Sequence, residues 1–204
     1  MTALQSPPFC FDAENQQKAE TYLAQYPPAH KQSALVPLLD LAQNQCGGWL
    51  PQPAIEAVAT LVGIPFLKAL EVASFYSMFH LKPVGSYHVQ ICGTTPCWLS
   101  GSDDLYKVCK EHLGINEGET TADKNFTLSE IECLGACVNA PVVQINEVFY
   151  ENITPYRLIE ILKKLATQPP SSSSRGAQGD VVIQESTWMA TPLTGTRHDE
   201  ESGK

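Results

Sequence analysis

Apolar residues recur at intervals of three and four positions through residues 12–80, which is the period of amphipathic helices. Asp12 is placed to cap a first helix, which is expected to end before the Pro27-Pro28 pair. Three further helices are predicted to begin near Ser33, Pro53 and Pro65. This part of the chain is therefore expected to form a helical bundle.

The apolar period shortens to two after residue 85, where Tyr87, Val89 and Ile91 alternate with polar residues and predict a strand. The elements predicted to follow are a helix from about Ser100, a strand from Phe126, a hairpin turning at Asn146-Glu147 and a helix capped by Thr154. Because a helix joins the first two strands, they are expected to be parallel, whereas the hairpin strands are antiparallel. We therefore predict an α+β chain in which a helical bundle precedes a thioredoxin-like domain.

Composition and charge narrow the class of protein. The chain has 204 residues, 43% of them hydrophobic, which is enough to bury a core. Its formal net charge of −9 argues against a nucleic-acid partner, whose phosphates would repel it. No apolar run approaches the length of about 18 residues that a membrane span needs, and the start of the chain lacks the features of a signal or transit peptide. We expect a cytoplasmic chain without direct membrane insertion.

A change of composition at Gln168 separates a tail from the rest of the chain. We expect three parts: a helical region over 1–80, the thioredoxin-like domain over 81–167 and the tail over 168–204. The first 12 or so residues of the tail are rich in Pro, Ser and Gly, which predicts a flexible linker. The apolar patch beyond the linker is costly to expose and is expected to lie on a partner protein, the alternative being a frayed end. Its members are Val181, Val182, Ile183, Trp188 and Met189.

Four of the seven cysteines form two short pairs, one after each of the first two predicted strands. Four residues separate Cys92 from Cys97, and three separate Cys133 from Cys137. Four thiolates brought to one point repel one another and need a cation between them. The odd number of cysteines, in a chain without a predicted export signal, also favours metal binding over disulfides.

The spacing of the pairs favours a [2Fe–2S] cluster over a single zinc ion. Structural zinc sites usually take cysteines separated by two residues, whereas a [2Fe–2S] cluster takes two thiolates on each of its two irons. Gly93 and Gly135 carry no Cβ, so that backbone N–H groups are expected to approach the cluster sulfurs. A structural zinc site and a disulfide are the alternatives that the spacing leaves open.

The sequence around both pairs resembles a known family. The segments Tyr87-His-Val-Gln-Ile-Cys-Gly-Thr-Thr-Pro-Cys-Trp98 and Glu132-Cys-Leu-Gly-Ala-Cys-Val-Asn-Ala-Pro141 are closely similar to those of the thioredoxin-like [2Fe–2S] subunit of respiratory complex I. The resemblance covers roughly residues 12–168. It implies that the cluster ligands are Cys92, Cys97, Cys133 and Cys137.

One-electron transfer is the function that this resemblance implies. The implied partner is the subunit that binds FMN and takes hydride from NADH, within the peripheral arm on the cytoplasmic side of the inner membrane. The chain itself has no G-x-G-x-x-G motif after a strand, and therefore no predicted nicotinamide site. The alternatives are the same module in an NAD-linked hydrogenase or formate dehydrogenase, and a zinc-stabilised interaction domain without a redox role.

Phe75, Tyr76, Met78 and Phe79 form a dense group between the two predicted regions. Such a group could be a contact surface for another subunit. We interpret it instead as core packing between the helical region and the following domain, because large apolar side chains are more often buried than exposed.

Other residues with metal-binding chemistry receive structural interpretations. His80 and His88 could bind iron as in Rieske centres, but the four cysteines already fill the site, so both are interpreted as surface residues or as neighbours of the ligands. Ala140-Pro141 precedes a strand where thioredoxin-like folds often hold a cis proline, and the sequence leaves its isomer open. Three cysteines outside the pairs are interpreted as packing residues: Cys10, Cys46 and Cys109.

Overall fold

The computed structural model describes residues 8–167, which form seven α-helices, two 3₁₀ helices and a four-stranded sheet. This is the α+β composition that the apolar periods predict. The predicted linker and apolar patch beyond residue 167 lie outside the described residues. Within residues 8–167 no single helix has the length and apolar character needed to span a membrane. One pair of these helices, Gln52–Val62 and Phe66–Phe75, reaches that length and composition together, but it is bent by 119°.

The helical region begins with a well-capped helix. Its α-helices are α1 (Ala13–Ala24), α2 (Leu35–Gln45), α3 (Gln52–Val62) and α4 (Phe66–Phe75), with a 3₁₀ helix (Pro28–Ala34) before α2. The Asp12 carboxylate accepts the backbone N–H of Asn15 at 2.8 Å, so the predicted cap is confirmed. Gly63 ends α3 in the left-handed conformation, with φ of +77°. Pro65 is the N-cap of α4 rather than its first residue.

The core of the helical region lies mainly between α2 and α3. The largest fully buried side chains there are Leu38, Leu39, Leu50, Ile55 and Val58. At about 25 cal/mol per Å² of apolar surface removed from water, each of them stabilises the fold by roughly 1.5–3 kcal/mol.

The sheet has the strand order β2-β1-β3-β4. Its strands are β1 (Tyr87–Cys92), β2 (Phe126–Ile131), β3 (Val143–Ile145) and β4 (Val148–Tyr150). β1 pairs in parallel with β2, and β3 pairs antiparallel with both β1 and β4, which confirms the predicted directions. The predicted two-residue turn joins β3 to β4, and Asn146 takes the positive φ, +53°, that such turns require.

Three helices complete the domain that contains the sheet. They are α5 (Thr95–Leu99), α6 (Ser102–Leu113) and α7 (Pro155–Thr167). Leu105 and Cys109 of α6 share one buried cluster with Leu158 and Leu162 of α7 and with the sheet. The buried position expected for Cys109 is therefore confirmed.

A short segment after α4 joins the two regions. The buried Gln43 amide donates to the backbone oxygen of Met78 at 2.9 Å and accepts the backbone N–H of His80 at 2.7 Å. The His80 ring in turn contacts the ring of His88 on β1, with centroids 4.5 Å apart. The helical region thus meets the central strand through a hydrogen-bonded glutamine and a pair of histidines. A domain boundary at residue 80 stays a prediction.

The interpretation of the aromatic group as core packing is wrong for three of its four members. Phe79 is buried, with 6% of its surface exposed, but Phe75, Tyr76 and Met78 are 80%, 44% and 47% exposed. The physical reason is that α4 ends at Phe75, after which Tyr76 takes an extended conformation and only Phe79 turns back toward the helical core. An exposed apolar surface therefore lies at the end of α4.

The interpretation of the isolated cysteines also needs a correction. Cys10 is exposed rather than packed, because it lies before α1 and not on the buried face of a helix. Cys46 is half-buried and packs against the helical core.

Candidate metal centre

The parallel pairing of β1 and β2 brings the two cysteine pairs to one edge of the sheet. Cys92 is the last residue of β1 and lies opposite Ile131, the last residue of β2, in the strand register. Cys133 follows β2 by two residues, and Cys97 and Cys137 lie in the short helical turns that come next on each side. The four cysteines that the spacing selects therefore lie at, or shortly after, the carboxyl ends of two paired parallel strands.

Within each pair the thiols are in contact. The Sγ atoms of Cys133 and Cys137 are 3.5 Å apart, and the Cys92 and Cys97 side chains interact with each other. Cys92 and Cys97 are each 1% exposed and pack with Val142, whereas Cys133 and Cys137 are exposed. One side of the site is buried and the other faces solvent.

Backbone groups of several loop residues also reach the sulfurs. The N–H of Gly135 donates to Cys133 Sγ at 3.3 Å, and Gly135 has a φ of +81°, which favours glycine. Backbone hydrogen bonds from Leu134 and Val142 reach Cys92 and Cys97. Donors of this kind offset the negative charge of thiolates and of bound sulfide.

Gly93 has a role in strand packing next to the ligands. Its N–H donates to the backbone oxygen of Ile131 at 3.0 Å, so it extends the parallel ladder instead of reaching a sulfur. A Cβ at this position would overlap the carboxylate of Glu130. The absence of a side chain at Gly93 thus serves strand packing, and the approach of backbone N–H groups to the cluster sulfurs beside it stays a prediction.

The acidities of the four thiols fall into two classes. Burial raises the pKa of Cys92, but hydrogen bonds from Thr94 and Leu134 outweigh it, so that this pKa lies below its usual value. The N–H of Gly135 lowers the pKa of Cys133. Burial and the contact with Cys92 raise the pKa of Cys97 to about 11, and the contact with Cys133 raises that of Cys137.

Each pair therefore contains one thiol that favours the thiolate and one that resists losing its proton. Metal binding requires both to be deprotonated, and a cation between them supplies the positive charge that the second thiolate needs. In the described part of the chain, no group of three or more His, Cys, Asp or Glu side chains is arranged to hold one metal ion. The thiols are instead arranged as two pairs, which fits a centre that has two irons with two thiolates each.

The two histidines, His80 and His88, line a cleft of about 340 Å³ that Cys133 also lines. His88 is buried, and its Nε2 lies 2.8 Å from Ser129 Oγ. Burial lowers the pKa of His80, and burial together with His80 lowers the pKa of His88 to about 3. His88 is therefore a neutral residue that joins the helical region to the sheet.

Two features near the cysteines were not predicted from the sequence. α5 is a helix of five residues around Pro96 and Cys97, where only a loop was expected. The Thr94 hydroxyl lies 3.2 Å from Cys92 Sγ, and it also acts to lower the pKa of Cys133. The peptide bond between Ala140 and Pro141, whose isomer the sequence leaves open, is cis.

The profile of the thioredoxin-like [2Fe-2S] ferredoxin family matches residues 19–166. The chain belongs to this family. A protein of Rickettsia bellii that is named as a subunit of NADH-quinone oxidoreductase is 60% identical over 157 residues, which cover 77% of this chain and 94% of that protein. A second relative, from Dictyostelium discoideum, is named NADH dehydrogenase [ubiquinone] flavoprotein 2, mitochondrial. It is 48% identical over 186 residues, which cover 87% of this chain and 75% of that protein.

A solved structure supports the fold. The crystal structure of the NAD+-reducing [NiFe]-hydrogenase in the H2-reduced state superposes with a TM-score of 0.57 and 23% identity, over 65% of this chain and 22% of the hydrogenase chain. At this identity the likeness is one of fold. Membership of the ferredoxin family makes a [2Fe–2S] cluster the cofactor of the chain, in agreement with the thiolate donors and their arrangement in two pairs.

Proposed function

We propose that this chain is the [2Fe–2S] electron-transfer subunit of an NADH:quinone oxidoreductase. The observation that carries the proposal is the meeting of two cysteine pairs at one edge of a thioredoxin-like sheet, in a chain whose relatives are named as subunits of that enzyme. The match spans 94% of the Rickettsia bellii relative and 75% of the Dictyostelium discoideum relative.

The proposed ligands are two thiols from each side of the site. Cys92 and Cys97 would hold one iron, and Cys133 and Cys137 the other. The bound cluster supplies one-electron chemistry, cycling between two oxidation states of the iron pair. The chain itself contributes the thiolates, the N–H donors of Gly135 and Leu134, and the buried wall beside Val142.

A face for the partner is proposed next to the ligands. Trp98 and Leu99 directly follow Cys97, Val138 directly follows Cys137, and their side chains are 54%, 73% and 89% exposed. Exposed apolar side chains at this density mark a contact surface. We infer that the subunit carrying FMN and the NADH site binds here, so that electrons pass between flavin and cluster, and that the assembly lies on the cytoplasmic side of the membrane.

The hydrogenase alternative has less support. The hydrogenase likeness is one of fold at 23% identity, whereas the oxidoreductase relatives reach 60%.

The apolar patch of the tail, from Val181 to Met189, lies outside the described residues, and its docking on a partner stays a prediction of the sequence.

Purification from native membranes tests the proposal. The chain should carry two irons and two sulfides, give an S = 1/2 electron paramagnetic resonance signal on reduction, and co-purify with a flavoprotein that oxidises NADH. Val138→Asp should weaken that association, whereas Tyr156→Asp, a similarly exposed position on α7, should not. One zinc ion without sulfide, or co-purification with a hydrogenase, contradicts the proposal.

A further inference from the structure

The hydroxyl of Thr94 occupies an unusual position for a threonine that precedes a helix. Thr94 is the N-cap of α5, and its backbone oxygen accepts the N–H of Trp98 at 2.9 Å. A threonine at an N-cap normally turns its hydroxyl to the free N–H groups of the first turn. Thr94 makes no such side-chain bond to α5. Its hydroxyl instead lies 3.2 Å from Cys92 Sγ.

The same hydroxyl reaches both cysteine pairs. It hydrogen-bonds Cys92 from the first pair, and it also acts to lower the pKa of Cys133 in the second.

Metal binding fixes the direction of this hydrogen bond. Between a thiol and a hydroxyl either group can donate, but a thiolate that is bound to iron has no proton. The hydroxyl is then the donor and the sulfur the acceptor. A hydrogen bond to an ionised acceptor is stronger than one between neutral groups, and the buried surroundings of Cys92 weaken its screening by water.

We propose that Thr94 is a positioning residue that sets the reduction potential of the cluster. Reduction adds one electron to a group that already carries negative charge, so a donor to its sulfurs stabilises the reduced state more than the oxidised state. Thr94 therefore raises the potential. This inference rests on the proposed ligation by the four cysteines.

The test compares matched variants at two adjacent threonines. Thr94→Val removes the hydroxyl and keeps the shape, Thr94→Ser restores a hydroxyl, and Thr95→Val makes the same change at an exposed residue for which the described chain shows no hydrogen bond to sulfur. A redox titration of each full-length variant, followed by the paramagnetic signal of the reduced cluster, gives the potential. Iron and sulfide content shows whether the cluster is retained.

Thr94→Val should lower the ratio of reduced to oxidised cluster at a fixed potential by several-fold to about tenfold. A tenfold change in this ratio corresponds to about 59 mV for one electron. Thr94→Ser should recover most of this change, and Thr95→Val should match the unmodified chain. Equal potentials for Thr94→Val and Thr95→Val would overturn the inference.

Two further outcomes have a definite meaning. If Thr94→Val and the smaller Thr94→Ala both fold but bind no cluster, Thr94 is needed for assembly and the proposed tuning role is wrong. If the unmodified chain binds no iron and sulfide, the proposed function fails first and this inference fails with it. A bound cluster with an unchanged potential contradicts the inference alone.

Discussion

The Sγ atoms of Cys133 and Cys137 lie 3.5 Å apart on the exposed side of the site. Metal–thiolate bonds of about 2.3 Å at a tetrahedral centre place two sulfurs about 3.8 Å apart. The pair is therefore already close to the geometry in which both thiolates bind one ion. The left-handed Gly135 between them makes this possible, because it turns the chain so that its own N–H meets Cys133.

The cysteine pairs predict a sharp division among the seven cysteines. Replacing any one of Cys92, Cys97, Cys133 or Cys137 by Ala should abolish or strongly weaken cluster binding, because each supplies a thiolate bond. Cys10→Ala, at an exposed position, and Cys109→Ala, in the core, should keep the cluster. Iron and sulfide analysis with the visible spectrum checks this. Loss of the cluster in either of the last two variants would mean that the ligand set is misassigned.

The left-handed conformation of Gly135 predicts a specific effect of an added methyl group. Gly135→Ala should cost about 1–2 kcal/mol in stability from φ alone and should also loosen the cluster, since its N–H donates to Cys133. Gly118 has a φ of +73° and open space around it, so Gly118→Ala should cost a similar amount without affecting the cluster. Urea unfolding and the rate of cluster loss to a chelator measure the two effects. Equal rates of loss would contradict the proposed role of the Gly135 N–H.

The burial of His88 predicts a dependence of stability on pH. Its folded pKa is about 3, whereas an unfolded histidine titrates near pH 6.5, so the unfolded chain takes up the proton first as the pH falls. The stabilisation by neutral His88 is complete above pH 6.5 and is lost progressively toward pH 3. Between pH 7 and pH 4.5 the loss should be about 2–3 kcal/mol.

Two variants separate the contribution of His88 to the pH dependence of stability from the contribution of the carboxylates. His88→Gln keeps an amide that can bond Ser129 and should remove this part of the pH dependence. His112→Gln, at an exposed position on α6, should leave it unchanged. Urea unfolding of each chain at pH 7 and pH 4.5 gives the comparison. The same pH dependence in all three chains would show that His88 is not the group responsible.

Much of the fold could be predicted because single residues mark the ends of its elements. Asp12 caps α1, Gly63 ends α3 and Asn146 takes the positive φ of the hairpin turn, so each boundary is determined locally. The parallel direction of β1 and β2 was predicted from the helix that joins them, and their direct pairing brings the two cysteine pairs to one edge of the sheet.

The remaining features depend on side-chain contacts that no periodic pattern records. α5 has only five residues, too few to show a helical period. The bond from Thr94 to Cys92 depends on a hydroxyl that could equally have capped α5. The exposure of Phe75 depends on where α4 ends, and composition alone favours burial for such a residue.

The aromatic residues after α4 provide a last prediction, because two of them are chemically identical and differ only in burial. Phe79→Ala should destabilise the chain by about 3–5 kcal/mol, since its ring packs into the helical core. Phe75→Ala should change stability by less than about 0.5 kcal/mol, because 80% of its surface is already exposed. Urea unfolding of both variants measures the difference. A large loss for Phe75→Ala would restore the interpretation of this group as core, whereas unchanged stability with weaker binding to the purified partner proteins would identify the end of α4 as a contact surface.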